Sequence, residues 1–198
     1  MWVVKLGGSL AIDPVLRHWL DVLATHGRGR VVIVPGGGPF ADQVRDAQES
    51  WGFPDDVAHR MAIHAMEQFA HMLLGLAPGL VPAATEEDVR RVLQTARVAV
   101  WLPVAMTIAE DEISPSWEVT SDSLAAWLAQ RLNAERLILV KSVPLPRGDL
   151  EPAELSRLGI VDQAFPEFAA RTCVAPLVLS REDHQTLRAW LVDSRLVD

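Results

Sequence analysis

Both lysines of this 198-residue chain stand beside residues suited to phosphate chemistry, and there are only two. Lys5 lies in the apolar run WVVKL, Trp2 to Leu6, and is followed by Gly7, Gly8 and Ser9; Lys141 follows the run RLILV, Arg136 to Val140. The other 16 basic residues are arginine, which points to a coding bias that supplies arginine wherever a surface wants positive charge. Lysines kept against that bias mark positions that need a compact ammonium, not a planar fork. Chance retention is the competing reading, and it weakens because both lysines fall at strand ends.

A second loop, Gly36-Gly37-Gly38 between Pro35 and Pro39, closes the run VVIV that begins at Val31. Three contiguous glycines leave no Cβ on one tight loop, so backbone amides can turn outward onto an anion. Pro39 suits the first turn of a helix, where its missing N–H costs nothing. Strand, glycine loop and helix N-terminus make a phosphate cradle; a tight strand-to-helix turn without a ligand is the alternative. Two such loops on one sheet edge would hold phosphates on both sides of a transferring phosphoryl group. Such transfer needs positioning and cations more than covalent help. Thr120-Ser121-Asp122-Ser123 opens a later helix, with Asp122 in its first turn. That pattern serves simple capping equally well, or puts a carboxylate where it can hold the lysine ammonium groups.

The elements that must carry these residues alternate. Apolar runs at Trp2 to Leu6, Val31 to Pro35, Leu80 to Ala83, Val98 to Leu102, Arg136 to Val140 and Cys173 to Leu179 suit buried parallel strands, with Pro176 hinting at an edge or bulge. Helical patterns lie between them. One runs from Pro14 to about Thr25 with Asp13 as its cap, and one from Pro39 to about Glu49. Another runs from Asp55 to Leu76, with Val57, Met61, Ala65, Phe69, Met72 and Leu73 on its apolar face. A fourth begins at the Thr85/Asp88 capping box and ends near Thr95, and a fifth starts at Thr120 or Ser121. Short helices from Pro152 and over Asp162 to Arg171, then an amphipathic one from Arg181 to Val192, complete the series. Met106 to Pro115 reads as an acidic loop and Ser142 to Asp149 as a Pro/Gly-rich one. The alternation predicts one domain over residues 1–198, a three-layer α/β/α sandwich with a mainly parallel sheet.

Composition narrows the partners. A net charge of −8 without a basic stripe argues against nucleic acid, and no apolar run is long enough to span a membrane. A single cysteine, Cys173, excludes an internal disulfide and, with no leader-like start, favours the cytoplasm. His59, His64 and His71 share the long helix, but no HExxH or Cys cluster accompanies them, so no metal site is expected. Arg60, near the same helix start, is placed to reach the mouth of the glycine loops; a solvated surface arginine would look the same. GxxxxGK[ST] is absent, and so is GxGxxG, which argues against a dinucleotide-dependent oxidoreductase.

Val4-Lys5-Leu6-Gly7-Gly8-Ser9, Pro35-Gly36-Gly37-Gly38 and Thr120-Ser121-Asp122-Ser123-Leu124-Ala125-Ala126 resemble, in this order, the amino acid kinase superfamily. The string at Ser116 to Leu124 and Val161-Asp162-x-x-Phe165-Pro166 look most like its small branch in methanofuran biosynthesis, which acts on (5-aminomethylfuran-3-yl)methyl phosphate. The resemblance implies an ATP-dependent kinase of a small phosphate (or carboxylate) acceptor, with Mg²⁺ bound through the nucleotide phosphates, and a homo-oligomer. It implies that Lys5, Asp122 and Lys141 are catalytic and that the amides of Gly7, Gly8 and Ser9 hold nucleotide phosphates. Gly36, Gly37, Gly38, Arg60, Thr120 and Ser121 then fall on the acceptor side. The chain departs from the family at Lys141-Ser142-Val143-Pro144-Leu145, where Thr-Asp-Val-Asp-Gly is usual. It also lacks the later Gly-Met-x-x-Lys segment and has Leu179-Ser180 in place of Asn-Gly. Either Lys141 takes over a nucleotide-phosphate role, or ATP binding is weakened or lost; in the latter case the chain is a kinase-fold ligand-binding or assembly protein in the same pathway.

Overall fold

Side-chain alternation along the strands decides the layers. The structure is a computed structural model describing residues 1–146, 148 and 150–197. Its strands are β1 (Trp2–Leu6), β2 (Val31–Pro35), β3 (Leu80–Ala83), β4 (Val98–Trp101), β5 (Arg136–Lys141) and β6 (Pro176–Ser180). All pairings are parallel, in the order β3-β4-β2-β1-β5-β6. Val3, Val32, Val34, Ala99, Trp101, Leu137 and Leu139 face one side; Trp2, Val4, Leu6, Ile33, Val100, Ile138 and Val140 face the other. Both sides are apolar because both are covered, as parallel sheets require.

The helices are α1 (Leu16–His26), α2 (Gly38–Trp51), α3 (Asp55–Leu76), α4 (Glu86–Gln94), α5 (Val104–Thr107), α6 (Ser121–Leu132), α7 (Pro152–Arg157), α8 (Phe165–Ala170) and α9 (His184–Val192). Leu20 and Leu23 of α1, Phe69 and Leu73 of α3 and Leu187 of α9 pack on the Val4 face. Val89 of α4, Leu124 and Trp127 of α6, Leu155 of α7 and Phe168 of α8 pack on the Val3 face. The architecture is the expected α/β/α sandwich.

Local departures have local causes. Val57 and Met61 are exposed, at 37% and 38%, because the first half of α3 packs on α2, not on the sheet, through Ala58 and Ala65 against Ala41 and Val44. Asp13 caps the turn ahead of α1 by accepting from Val15 N at 3.0 Å, and α1 starts only at Leu16. Pro103 opens the single helical turn α5, which takes in only Met106 and Thr107 of the expected acidic loop. β6 begins at Pro176, three residues late, and is an edge strand, where a missing N–H is tolerated. Thr85 and Asp88 form the reciprocal capping box. Of the loop from Ser142 to Asp149, Arg147 and Asp149 lie outside the described residues.

Candidate active site

Strand order places a crevice between β1 and β5. The chain leaves β1 toward β2 and leaves β5 toward β6, so the connections diverge there, at the carboxyl edge of the sheet where α/β ligands bind. Lys5 pairs in register with Leu139 of β5, and Lys141 ends that strand two residues on. Parity turns both toward the Val3 face, the side covered by α6, whose first turn carries Asp122.

The three groups meet there. Lys141 Nζ donates to Asp122 Oδ2 at 2.7 Å, and Lys5 Nζ forms an ion pair with Oδ1 at 2.7 Å, off the hydrogen-bonding direction. Lys5 and Asp122 are only 4% and 3% exposed. Burial works against the carboxylate's charge, but the two ammonium groups outweigh it and hold Asp122 below the ordinary Asp range. The site thus carries one net positive charge, with little water to screen it.

Lys141 is the adjustable member. Burial and the neighbouring Lys5 ammonium lower its pKa from 10.5 to about 8, against the opposing pull of Asp122. A lowered lysine pKa disfavours the charged form in the fold, so this group costs stability at neutral pH, and the cost is relieved as pH rises from about 8 toward 10.5. If the ammonium serves catalysis, kcat/KM is expected to fall on an alkaline limb with a midpoint near pH 8. Bound phosphate anions favour the ammonium, so the limb in kcat should lie higher. Lys141→Arg should abolish the limb, because arginine does not titrate there. A pH profile flat past pH 9 would contradict this role.

A residue 40 positions from Asp122 holds the turn that presents it. Asp162 Oδ2 accepts from Thr120 N at 3.0 Å, Thr120 Oγ1 at 2.7 Å and Ser123 N at 3.0 Å, while Ser123 Oγ donates to Oδ1. The expected cap by Thr120 or Ser121 is therefore replaced: Thr120 occupies the N-cap position, but Asp162 supplies the acceptor from across the fold. Asp162→Ala would strand two amides and two hydroxyls, at a cost of about 2–4 kcal/mol in denaturant unfolding.

The glycines answer first to each other. A Cβ on Gly8 would stand 2.1 Å from Gly38 N, and one on Gly36 would stand 2.3 Å from Gly8 N, so the two loops touch backbone to backbone. Not every amide is available to a ligand. Gly7 N donates to Val140 O at 3.1 Å and Gly36 N to Leu6 O at 2.9 Å, which corrects the expectation that the Gly7 and Gly36 amides face phosphate. The N–H groups of Gly8, Ser9, Gly37 and Gly38 have no acceptor among the described residues. These four residues line one cavity. Ser9 Oγ also meets Ser142 Oγ at 2.7 Å, tying the first loop to the end of β5.

That cavity, about 270 Å³, continues from the glycine loops past Thr120 and Ser121 to an apolar wall that includes Ile63, Met66 and Leu124. Lys5, Asp122 and Lys141 lie beside it and do not line it. Its rim is aromatic and cationic: the Arg45 guanidinium sits 4.4 Å from the Trp117 ring centroid, Trp117 Nε1 donates to Gln48 Oε1 at 2.6 Å, and Arg45 is held by Asp42 at 2.9 Å. Arg60 is not part of this cavity. It is 60% exposed, paired with Asp56 at 3.5 Å, and lines a neighbouring cavity. Arg45, about two turns into α2, takes the rim position expected of Arg60. His64 and His71 are exposed, and no cluster able to hold a metal occurs among the described residues.

Residues 1–145 match the family model described as the amino acid kinase family. The chain belongs to the amino acid kinase family. It is 30% identical over 178 residues to [5-(aminomethyl)furan-3-yl]methyl phosphate kinase of Methanocaldococcus jannaschii, covering 84% of this chain and 81% of the relative. Among solved structures it resembles the uridylate kinase of Archaeoglobus fulgidus, with a TM-score of 0.69, 17% identity and 97% and 95% of the two chains covered. It also resembles an isopentenyl phosphate kinase, with a TM-score of 0.61, 14% identity and 97% and 96% covered. Family and named relatives make this kinase-family protein a phosphotransferase. Among the described residues, no helix is long and apolar enough to cross a membrane.

Proposed function

We propose that the protein transfers the γ-phosphoryl group of ATP to the phosphate of a small acceptor, (5-aminomethylfuran-3-yl)methyl phosphate, giving the diphosphate. The observation that carries this reading is the buried Lys5–Asp122–Lys141 cluster at the β1/β5 crevice, beside two loops with four open amides. Cations held by a fixed carboxylate suit a loose phosphoryl-transfer transition state, whose charge must be met without reorganisation. Lys5 meets the transferring group, Lys141 meets the nucleotide side, and Asp122 keeps the two ammonium groups apart and aimed. Gly8 and Ser9 hold nucleotide phosphate, and Gly37, Gly38 and the start of α2 hold the acceptor phosphate. ATP brings the phosphoryl group, and Mg²⁺ accompanies it on the nucleotide phosphates. The apolar wall and Trp117 suit a small planar ring, and the M. jannaschii relative is named for the furan phosphate. The site belongs to a single chain on this reading, with homo-oligomerisation through helices that flank the sheet.

The departure at Lys141-Ser142-Val143-Pro144-Leu145 makes nucleotide binding the point to test. Calorimetry with ATP·Mg²⁺ is expected to give heat and a sub-millimolar dissociation constant, lost in Lys5→Ala/Lys141→Ala. No heat and no thermal shift at millimolar nucleotide would favour a kinase fold that binds a ligand without catalysis.

A further inference from the structure

His59 carries an unanswered hydrogen-bonding atom. It sits one turn into α3, is 7% exposed, and lines the acceptor cavity. Its Nδ1 lies 3.2 Å from the carbonyl oxygen of Ser116. A carbonyl only accepts, so Nδ1 carries the proton and donates, which leaves Nε2 as a lone-pair acceptor. Nε2 is buried and has no partner among the described residues. Burial, only partly offset by the Ser116 carbonyl, lowers the pKa of the ring and keeps it neutral at physiological pH. Elsewhere on the cavity wall Asp42 is held by Arg45, Thr120 Oγ1 donates to Asp162 and Ser9 meets Ser142, while among the described residues the Ser121 hydroxyl is left open beside His59. His59 also borders a second cavity of about 430 Å³, whose wall includes Asp56 with its partner Arg60, Glu110 with its partner Arg131, and Asp111.

With phosphate at the glycine loops and an apolar ring against Ile63 and Met66, the far end of the ligand would reach toward His59 on the same cavity wall. A buried lone-pair acceptor without a partner suits an N–H donor. We infer that His59 Nε2 accepts a hydrogen bond from the amino end of the acceptor, making His59 a specificity-determining residue for amine-bearing phosphate monoesters. The inference rests on the acceptor reading above, and it adds the residue that separates an amine-bearing ligand from its plain hydrocarbon counterpart. Neutral His59 donates to Ser116 and accepts from the ligand, so both ring nitrogens are satisfied only when the ligand is bound.

The test compares two ligands on three proteins. Binding of (5-aminomethylfuran-3-yl)methyl phosphate and of its 5-methyl counterpart is measured by calorimetry on the unsubstituted protein, His59→Phe and His59→Gln. The unsubstituted protein should prefer the amine by about tenfold or more, since a site with a buried acceptor rejects a ligand that leaves it unpaired. His59→Phe should lose that preference without weakening the methyl ligand, and His59→Gln, which returns an oxygen near the Nε2 position, should keep much of it. A preference of the same size in His59→Phe, or none in the unsubstituted protein, would overturn the assignment. Imidazole ¹⁵N shifts of the unsubstituted protein read the same contact without a variant: the His59 Nε2 resonance should move with the amine ligand and stay with the methyl one, and no movement with either would also overturn it. Product formation with ATP is scored separately. Diphosphate made without amine preference would remove His59 alone, while amine preference without product would remove the kinase reaction alone.

Discussion

Lys5→Met is expected to lower kcat by about 10²–10³, the scale of losing one positioned donor to transition-state charge. Methionine fills the space of the lysine stem, so loss of packing is not the cause, and near-unchanged unfolding would show it. Asp122 retains Lys141 at 2.7 Å, which keeps the carboxylate compensated in the variant. Lys5→Arg should fail as well. The space between β1 and α6 is closed, with Lys5 4% exposed, and a planar five-donor fork cannot occupy a site built for a point ammonium. A Lys5→Met protein with turnover near that of the unsubstituted enzyme would take Lys5 out of the mechanism.

Asp122→Asn should have the largest combined effect on stability and rate. The side chain keeps its shape, but two buried ammonium groups lose the anion between them. Breaking a buried ionic cluster by removing one partner costs about 3–5 kcal/mol, which for a chain of this size lowers Tm by roughly 10 °C. Turnover should fall by at least about 10², since the lysines are then neither charged together nor aimed. The sign with pH is specific. Lys141 is already depressed by burial and by Lys5, and without Asp122 it sheds its proton more easily. The stability deficit of Asp122→Asn should therefore shrink as pH is raised from 7 toward 9, and its alkaline limb should move below the unsubstituted one. A deficit that grows with pH over that range would contradict the charge assignment.

These residues differ in how far sequence alone exposes them. The layers follow from apolar runs that alternate with helical patterns, and Lys5 and Lys141 stand out because arginine serves every other basic position. Which face each lysine turns to is not legible. Strands buried on both sides read as uninterrupted apolar runs, so alternation carries no direction until register pairs Lys5 with Leu139. Asp162 is hidden for another reason. Its partners Thr120 and Ser123 lie about 40 residues back, and nothing local separates a carboxylate that caps a distant helix from one that begins its own. His59 differs from His64 and His71 only in burial, which depends on α3 rotating from α2 onto the sheet along its length. Arg60 and Arg45 are equally unremarkable in sequence; only the packing of Trp117 against the middle of α2 brings Arg45 to the rim. Glycine requirements are legible, but their cause is not, since Gly8, Gly36 and Gly38 answer first to the contact between two loops.

The central claim is that a phosphate monoester is converted to a diphosphate in the crevice where Asp122 joins the two lysines. ³¹P NMR of the protein with ATP·Mg²⁺ and (5-aminomethylfuran-3-yl)methyl phosphate tests it directly. The account predicts that the monoester singlet gives way to the paired doublets of a diphosphate ester while ADP appears in equal amount, and that neither change occurs with Lys5→Met. An intact monoester signal with intact ATP, or ATP cleaved to ADP and free phosphate alone, would contradict it.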